Sequence, residues 1–226
     1  MFAKLKVNQS TANTGAVPQP FESNPITDYF EIGKQIGSAG PELAWKVYEA
    51  VRRSDDKEAS VFFFDKKWAD KFGKSSVKRR EIIIDVLKRG AQQMDRFRHP
   101  KILQMYHKVE ETNENLAFAA EPVIGSLANI LGYLEDRLRQ GVPSSLREYT
   151  FLEFEIKYGL IQITEALLYL HYYCKLIHRN ISPQSVLVNK RGTWKLAGLE
   201  FTERCANGDI MVSLIPVFVS FIDRVI

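Results

Sequence analysis

The stretch Leu176–Asn189 reads L-I-H-R-N-I-S-P-Q-S-V-L-V-N, and the reading of the rest of the chain depends on it. It follows a helix-like apolar pattern and ends in the strand-like run Val186-Leu-Val-Asn189, so it is a loop held between two regular elements. Its polar content is His178, Arg179, Asn180, Ser182 and Ser185, framed by Pro183, and no carboxylate stands anywhere in it. Upstream, Thr150-x-x-Glu153 is a capping-box pattern, and Ile156, Leu160, Ile163, Leu167 and Leu170 recur at alternating four- and three-residue steps, which predicts one amphipathic helix with a stripe that must be buried. Downstream, Val186–Asn189 and Thr193–Ala197 predict a hairpin around Lys190-Arg-Gly192.

Toward the N-terminus the texture changes twice. Residues 1–28 are rich in Asn, Gln, Ser, Thr and Pro and read as a flexible arm. From Tyr29 three β-rich runs, starting at Tyr29, Trp45 and Ala59, are separated by Gly, Pro and charged turns and predict consecutive antiparallel strands. A helix over Glu81–Met94 can place Ile83, Val86, Leu87 and Met94 on one face. Strand-like runs at Ile102–Val109 and Asn115–Glu121 complete a five-stranded sheet, and Glu121-Pro122 then breaks the pattern as a hinge would. A short helix starts near Gly125, and Arg137–Ser145 reads as a loop.

Composition narrows the function. With 226 residues, 45% of them hydrophobic and 12% aromatic, the chain can bury a core. The 31 basic and 27 acidic residues leave a net charge of +4, too even to argue for nucleic acid as a partner. Cys174 and Cys205 have no ligand spacing around them, so neither a disulfide framework nor a metal site is expected. The first residues lack an apolar signal core, and a cytoplasmic setting is the expectation.

The order of these elements resembles a protein kinase domain, an α+β fold with a complete five-stranded small lobe and helix over 29–121 and the first part of a large lobe over 122–209. Leu176–Asn189 then sits where kinases carry H-R-D-L-x-x-x-N. Asn180 replaces the Asp that accepts the substrate hydroxyl proton, Ser182 a Lys, and Ser185 the Asn that holds magnesium. Phe62 takes the place of the strand-three lysine, Gly90 that of the helix glutamate, and Gly198, in Gly198-Leu-Glu200, that of the magnesium-binding Asp of D-F-G. Glu200 stands two residues off register and is expected to be a solvent-facing or structural residue. Around the turn Gly37-Ser-Ala-Gly40, Trp45 occupies the third glycine position of the phosphate loop. The turn with Gly37 and Gly40 can bring backbone N–H groups to phosphates or be an ordinary hairpin turn, and an adenine slot is still conceivable with Val47 and Ser60 above and Leu187 below, so weak ATP binding stays open while no cofactor is required.

These replacements, together with I-G-S-A-G-P-E-L-A-W-K-V-Y-E-A, S-V-F-F-F-D-K-K, I-H-R-N-I-S-P and K-L-A-G-L-E, resemble the Scy-one-like pseudokinases. The resemblance implies a catalytically inactive scaffold for vesicle-coat proteins at the Golgi, endosomes and clathrin-coated vesicles. It also implies HEAT-type repeats and an A-P-E motif, none of which appears in this sequence; a shortened form is therefore expected, with residues 210–226 as a divergent apolar tail. A weak serine/threonine kinase and a form without activity of its own remain the alternatives. The basic-aromatic stretch Lys66–Arg80, or the tail, could touch anionic lipid. The Ile156–Leu170 stripe is expected to lack its usual cover.

Overall fold

Alternating large apolar residues build a sheet buried on both faces. In the computed structural model, which describes residues 21, 23–70, 77–132 and 149–205, a one-turn helix α1 (Ile26–Tyr29) leads into β1 (Phe30–Ala39), β2 (Trp45–Arg52) and β3 (Glu58–Asp65). Helix α2 (Val77–Met94) and strands β4 (Met105–Glu111) and β5 (Asn115–Ala120) follow. The five strands run in the order β1-β2-β3-β5-β4 with antiparallel pairs throughout, which is the expected small lobe.

Because successive side chains of a strand point to opposite faces, β3 divides the core. Val61 and Phe63 face an outer cluster with Phe30 and Ile32, whereas Phe62 and Phe64 face an inner cluster that continues into the large lobe. The outer cluster is closed by residues assigned to the flexible arm. Phe21 is fully buried, its ring centroid 4.9 Å from that of Tyr48 and 4.5 Å from that of Phe63, and Asn24 Nδ2 donates to Asn115 Oδ1 at 2.6 Å. The lobe therefore begins by Phe21 rather than at Tyr29, because an exposed β-sheet face of this size needs an apolar cover; the earlier part of the arm lies outside the described residues.

Helix α2 packs Leu87, Ala91 and Met94 against the inner face, with Ile83 and Ile84 beside them. It starts before the expected Glu81. Beyond the hinge come β6 (Val123–Ser126), the short α3 (Leu127–Ile130), and α4 (Glu153–Leu168), whose last turn widens into a π-helical turn at Tyr169–Tyr173. The cap of α4 is not Thr150: the Glu155 carboxylate accepts from the Leu152 N–H at 2.9 Å and from the Tyr149 hydroxyl at 2.7 Å. Burial and that carboxylate push the Tyr149 phenol up to about 12.

Strands β7 (Leu176–Ile177), β8 (Val186–Asn189), β9 (Trp194–Leu196) and β10 (Glu203–Arg204) complete the described chain, with β6-β8-β9 in one small sheet and β7 paired to β10. The expected hairpin is β8–β9. Its Trp194 lies against the backbone of α4 at Gly159, where a Cβ would come within 2.2 Å of the indole, and the Trp194 backbone N–H donates to Gln162 Oε1 at 2.7 Å. This corrects the expectation that the α4 stripe lacks cover: Ile163, Leu167 and Leu170 are buried, and Ile156 and Leu160 pack at the edge of the same core. The opposite stripe, with Phe154, Ile161, Leu168 and Tyr172, is the exposed one. The Arg137–Ser145 loop and the 210–226 tail lie outside the described residues.

Candidate functional site

The cleft between the lobes is where the replaced residues meet, and each replacement is satisfied locally. Phe62 is fully buried and stacks on Phe118 across the β3–β5 pair, centroids 4.7 Å apart and planes 3° off parallel. Trp45 covers Phe118 edge-on at 5.0 Å. Aromatic pairs of this kind add about 0.5–1.5 kcal/mol beyond area burial, and a cation in the Phe62 position would lose that and gain no counter-ion on α2. Gly90 is buried on the face of α2 that looks at this region, and it presents no side chain.

The turn after β1 is drawn down onto the large lobe. Ser38 N–H donates to Asn129 Oδ1 at 3.0 Å, and Asn129 Nδ2 donates to Ser38 Oγ at 3.1 Å. Asn129 itself is fixed at the start of α3, where Ser126 Oγ accepts from the Asn129 N–H and Asn129 Oδ1 accepts from the Ser126 N–H. Gly37 is required for this approach, since a Cβ there would come within 2.5 Å of Asn129 Oδ1. Three residues on, Gly40 adopts φ +72° and its N–H donates to the Gln184 carbonyl at 2.9 Å, a direct backbone bond from the small-lobe turn to the catalytic-type loop. In a phosphate-binding loop such N–H groups point at the ligand; here those of Ser38 and Gly40 are already used.

The other nucleotide candidates lie in the same region and are equally engaged. Val47 and Leu187 are fully buried in the core shared by both lobes. Ser60 Oγ accepts from the hinge Val123 N–H at 3.0 Å. The hinge is further tied by Glu121, which pairs with Lys195 of β9 at 2.9 Å and accepts from Gln104 N–H at the same distance.

In the loop itself, His178 is completely buried, and burial lowers its pKa to about 4, so it is neutral at physiological pH. Its Nδ1 accepts from the Asn180 N–H at 3.1 Å, which leaves Nε2 as the protonated nitrogen, donating to the Ala197 carbonyl at 2.8 Å. Ser185 Oγ donates to the Ser182 carbonyl at 2.9 Å and accepts from the Ser182 N–H at 3.0 Å. The Ser185 hydroxyl is thus used against the Ser182 backbone in a self-contained turn. Arg179, with φ +62°, pairs with Glu203 of β10 on the surface. Gly198 has φ +73°, and a Cβ on it would come within 2.7 Å of the Ser185 Cβ, so the backbone here is shaped for glycine. Among the described residues no cluster of His, Cys, Asp or Glu could hold a metal ion, and no helix is long and apolar enough to cross a membrane.

Of the two roles expected for Glu200, solvent-facing or structural, burial leaves the structural one. Glu200 does not face solvent: it is 5% exposed, on the turn Leu199–Phe201, with its chain folded into the space beside Gly90. The left-handed Gly198 redirects the chain here, a turn that a position count does not reveal. Glu200, Asn129 and Gln184 are the cleft residues that motif reading missed. For Glu200, the available signal was a glycine at position 90, where a larger side chain is usual. Lys66 also departs from expectation: it is buried, bonded to Glu111 at 2.8 Å and to the Thr112 carbonyl at 2.6 Å, and does not belong to an exposed basic surface.

Comparison with known proteins agrees with this architecture. The protein kinase domain family matches residues 30–215. SCY1-like protein 2 from mouse and from human is 41% identical over 207 residues, which is 92% of this chain and 22% of theirs. A Dictyostelium discoideum protein described as a probable inactive serine/threonine-protein kinase scy1 is 28% identical over 80% of this chain and 18% of its own. The chain thus spans about a fifth of the length of these relatives. With a kinase-type small lobe, a hinge and a catalytic-type loop that keeps Arg179 but has Asn180 for the base and Ser185 for the metal-binding Asn, the chain belongs to the protein kinase domain family, in its SCY1-like, pseudokinase-like branch.

Proposed function

We propose that this chain is a catalytically inactive kinase-like binding module that serves as a scaffold for protein partners of vesicle coats, on or near Golgi, endosome or clathrin-coated-vesicle membranes. The observation that carries the inactive reading is the Gly40 N–H bond to the Gln184 carbonyl at 2.9 Å, which occupies a phosphate-loop donor with protein backbone. Phosphotransfer depends on positioning and charge stabilisation, and Phe62, Gly90, Asn180, Ser185 and Gly198 supply neither the phosphate lysine and its partner nor the base and metal ligands. The vesicle setting draws on family resemblance alone. Lipid contact through Lys66–Arg80 draws on Lys67, Lys78 and Arg79, which are exposed. On this reading ATP binds weakly and without magnesium dependence, and no cofactor is needed.

The test is a thermal-shift titration with ATP, with and without magnesium, alongside incubation with labelled ATP and an Asn180→Ala control. The reading expects at most a small, magnesium-independent shift and no labelled product. Transfer that Asn180→Ala abolishes would overturn it in favour of a weak serine/threonine kinase.

A further inference from the structure

Among the described residues Glu200 is an acidic side chain drawn into the cleft beside Gly90, and nothing described so far gives it work. Its surroundings come from four elements. A Cβ on Gly90 of α2 would lie 2.5 Å from Glu200 Cγ and 2.8 Å from Cδ, so any side chain at Gly90 would expel it. A Cβ on Gly40 of the small-lobe turn would lie 3.8 Å from Oε1, and one on Gly198 would lie 3.4 Å from Oε2. The loop contributes the Asn180 side chain.

We propose that Glu200 is a built-in plug of the interlobe cleft, filling the space left by Gly90 in its neutral form and loosening the small-lobe turn at Gly40 when its carboxyl ionises. The inference is one of regulation and rests on the inactive-module reading of the same cleft.

The chemistry of the cavity favours the neutral acid. Oε2 is buried and has no hydrogen-bond partner. Burial raises the carboxyl to about 7, and only its own backbone N–H and the Asn180 side chain oppose that rise. No cation enters among the groups that act on it: α2 offers Gly90, the turn offers Gly40, the chain before it offers Gly198, and the buried His178 of the loop is neutral. An ionised carboxylate in a site without a counter-ion must recruit water or move out. Either event disturbs the packing at Gly90 and reaches toward the turn at Gly40, the small-lobe positions that border the plug. The neutral acid is held by shape, the anion is not, and the cleft has two states that a proton chooses between.

The experiment is amide hydrogen exchange on the full chain between pH 6 and 8, with rates divided by those of the unstructured chain and no nucleotide present. In the wild type, protection at the Gly40 amide and in α2 around Gly90 falls about tenfold across that range, as expected for one group ionising near 7 in the closed state and near its ordinary value in the open state. In Glu200→Gln, which keeps shape without ionising, protection stays high and flat. A flat wild-type profile, or a slope retained in Glu200→Gln, overturns the proposal. As a shape test that does not depend on pH, Gly90→Ala lowers Gly40 protection and Glu200→Ala in the same chain restores it; Gly90→Ala with unchanged protection also overturns it. Because ATP is absent, these outcomes do not depend on the transfer assay, which alone decides the inactive reading.

Discussion

At β3 and in the loop after β7, charged groups expected of a kinase have been replaced by opposite routes. Phe62 answers with hydrocarbon, stacked on Phe118 and covered by Trp45, so that the space of a lysine has become aromatic core. In the loop the Ser185 hydroxyl closes on the Ser182 backbone, each hydrogen bond of the turn having its partner three residues away. The first route makes reversal expensive, since a restored charge would be buried without a partner. The second makes the loop a local turn that costs little to hold, with the Ser185 hydroxyl committed to it. Glu200 fits neither pattern, because it is buried, polar and half satisfied.

The sharpest way to break the contrast is Phe62→Lys. If the β3 position is core, this change loses about 4 kcal/mol or more, from the lost aromatic volume and the unpaired charge, measured by chemical denaturation. A loss below about 1 kcal/mol would mean that the position still behaves as an open cleft site.

The next effect is in pH dependence, and the signs of two groups oppose each other. His178 has its pKa lowered to about 4, so the unfolded chain binds its proton first and stability falls as pH drops from about 6.5 toward 4. Glu200 has its pKa raised to about 7, so the folded chain holds the proton and stability rises as pH drops from about 7 toward 4.5. The two slopes offset each other in the wild type. Glu200→Gln removes one of them, and its acid loss is steeper than that of the wild type by up to about 3 kcal/mol in denaturation curves collected over that range.

A smaller effect tests the loop. Gly198→Asp restores the missing carboxylate in name, yet the Cβ meets Ser185 and φ is positive, so the variant loses about 1–3 kcal/mol. It shows no magnesium-dependent rise in melting temperature. The smallest is Arg179→Ala: its ion pair with Glu203 is more than half exposed on both sides, and its loss changes stability by less than about 0.5 kcal/mol.

Much of the fold was legible because period-two patterning and glycine-proline punctuation are local signals, and β1 to β5 with the β8–β9 hairpin follow them. The capping box at Thr150 was misread because two acidic residues, Glu153 and Glu155, stand in the first turn, and only geometry shows that Glu155 reaches back. The arm was placed too far along because Phe21 and Ile26 are isolated apolar residues in a polar segment, and their burial depends on a sheet face formed by later strands.

What the sequence by itself determined is the chemistry that is missing: Phe62, Gly90, Asn180, Ser185 and Gly198 carry no charge wherever the fold puts them. The tertiary structure alone decided what fills the vacancies. That Gly40 bonds to Gln184, that Asn129 holds the turn at Gly37, and that Glu200 enters the gap at Gly90 are contacts between residues distant in the chain. They depend on backbone paths set by left-handed glycines and by the docking of one lobe on the other, and no local pattern of residue types specifies such a path.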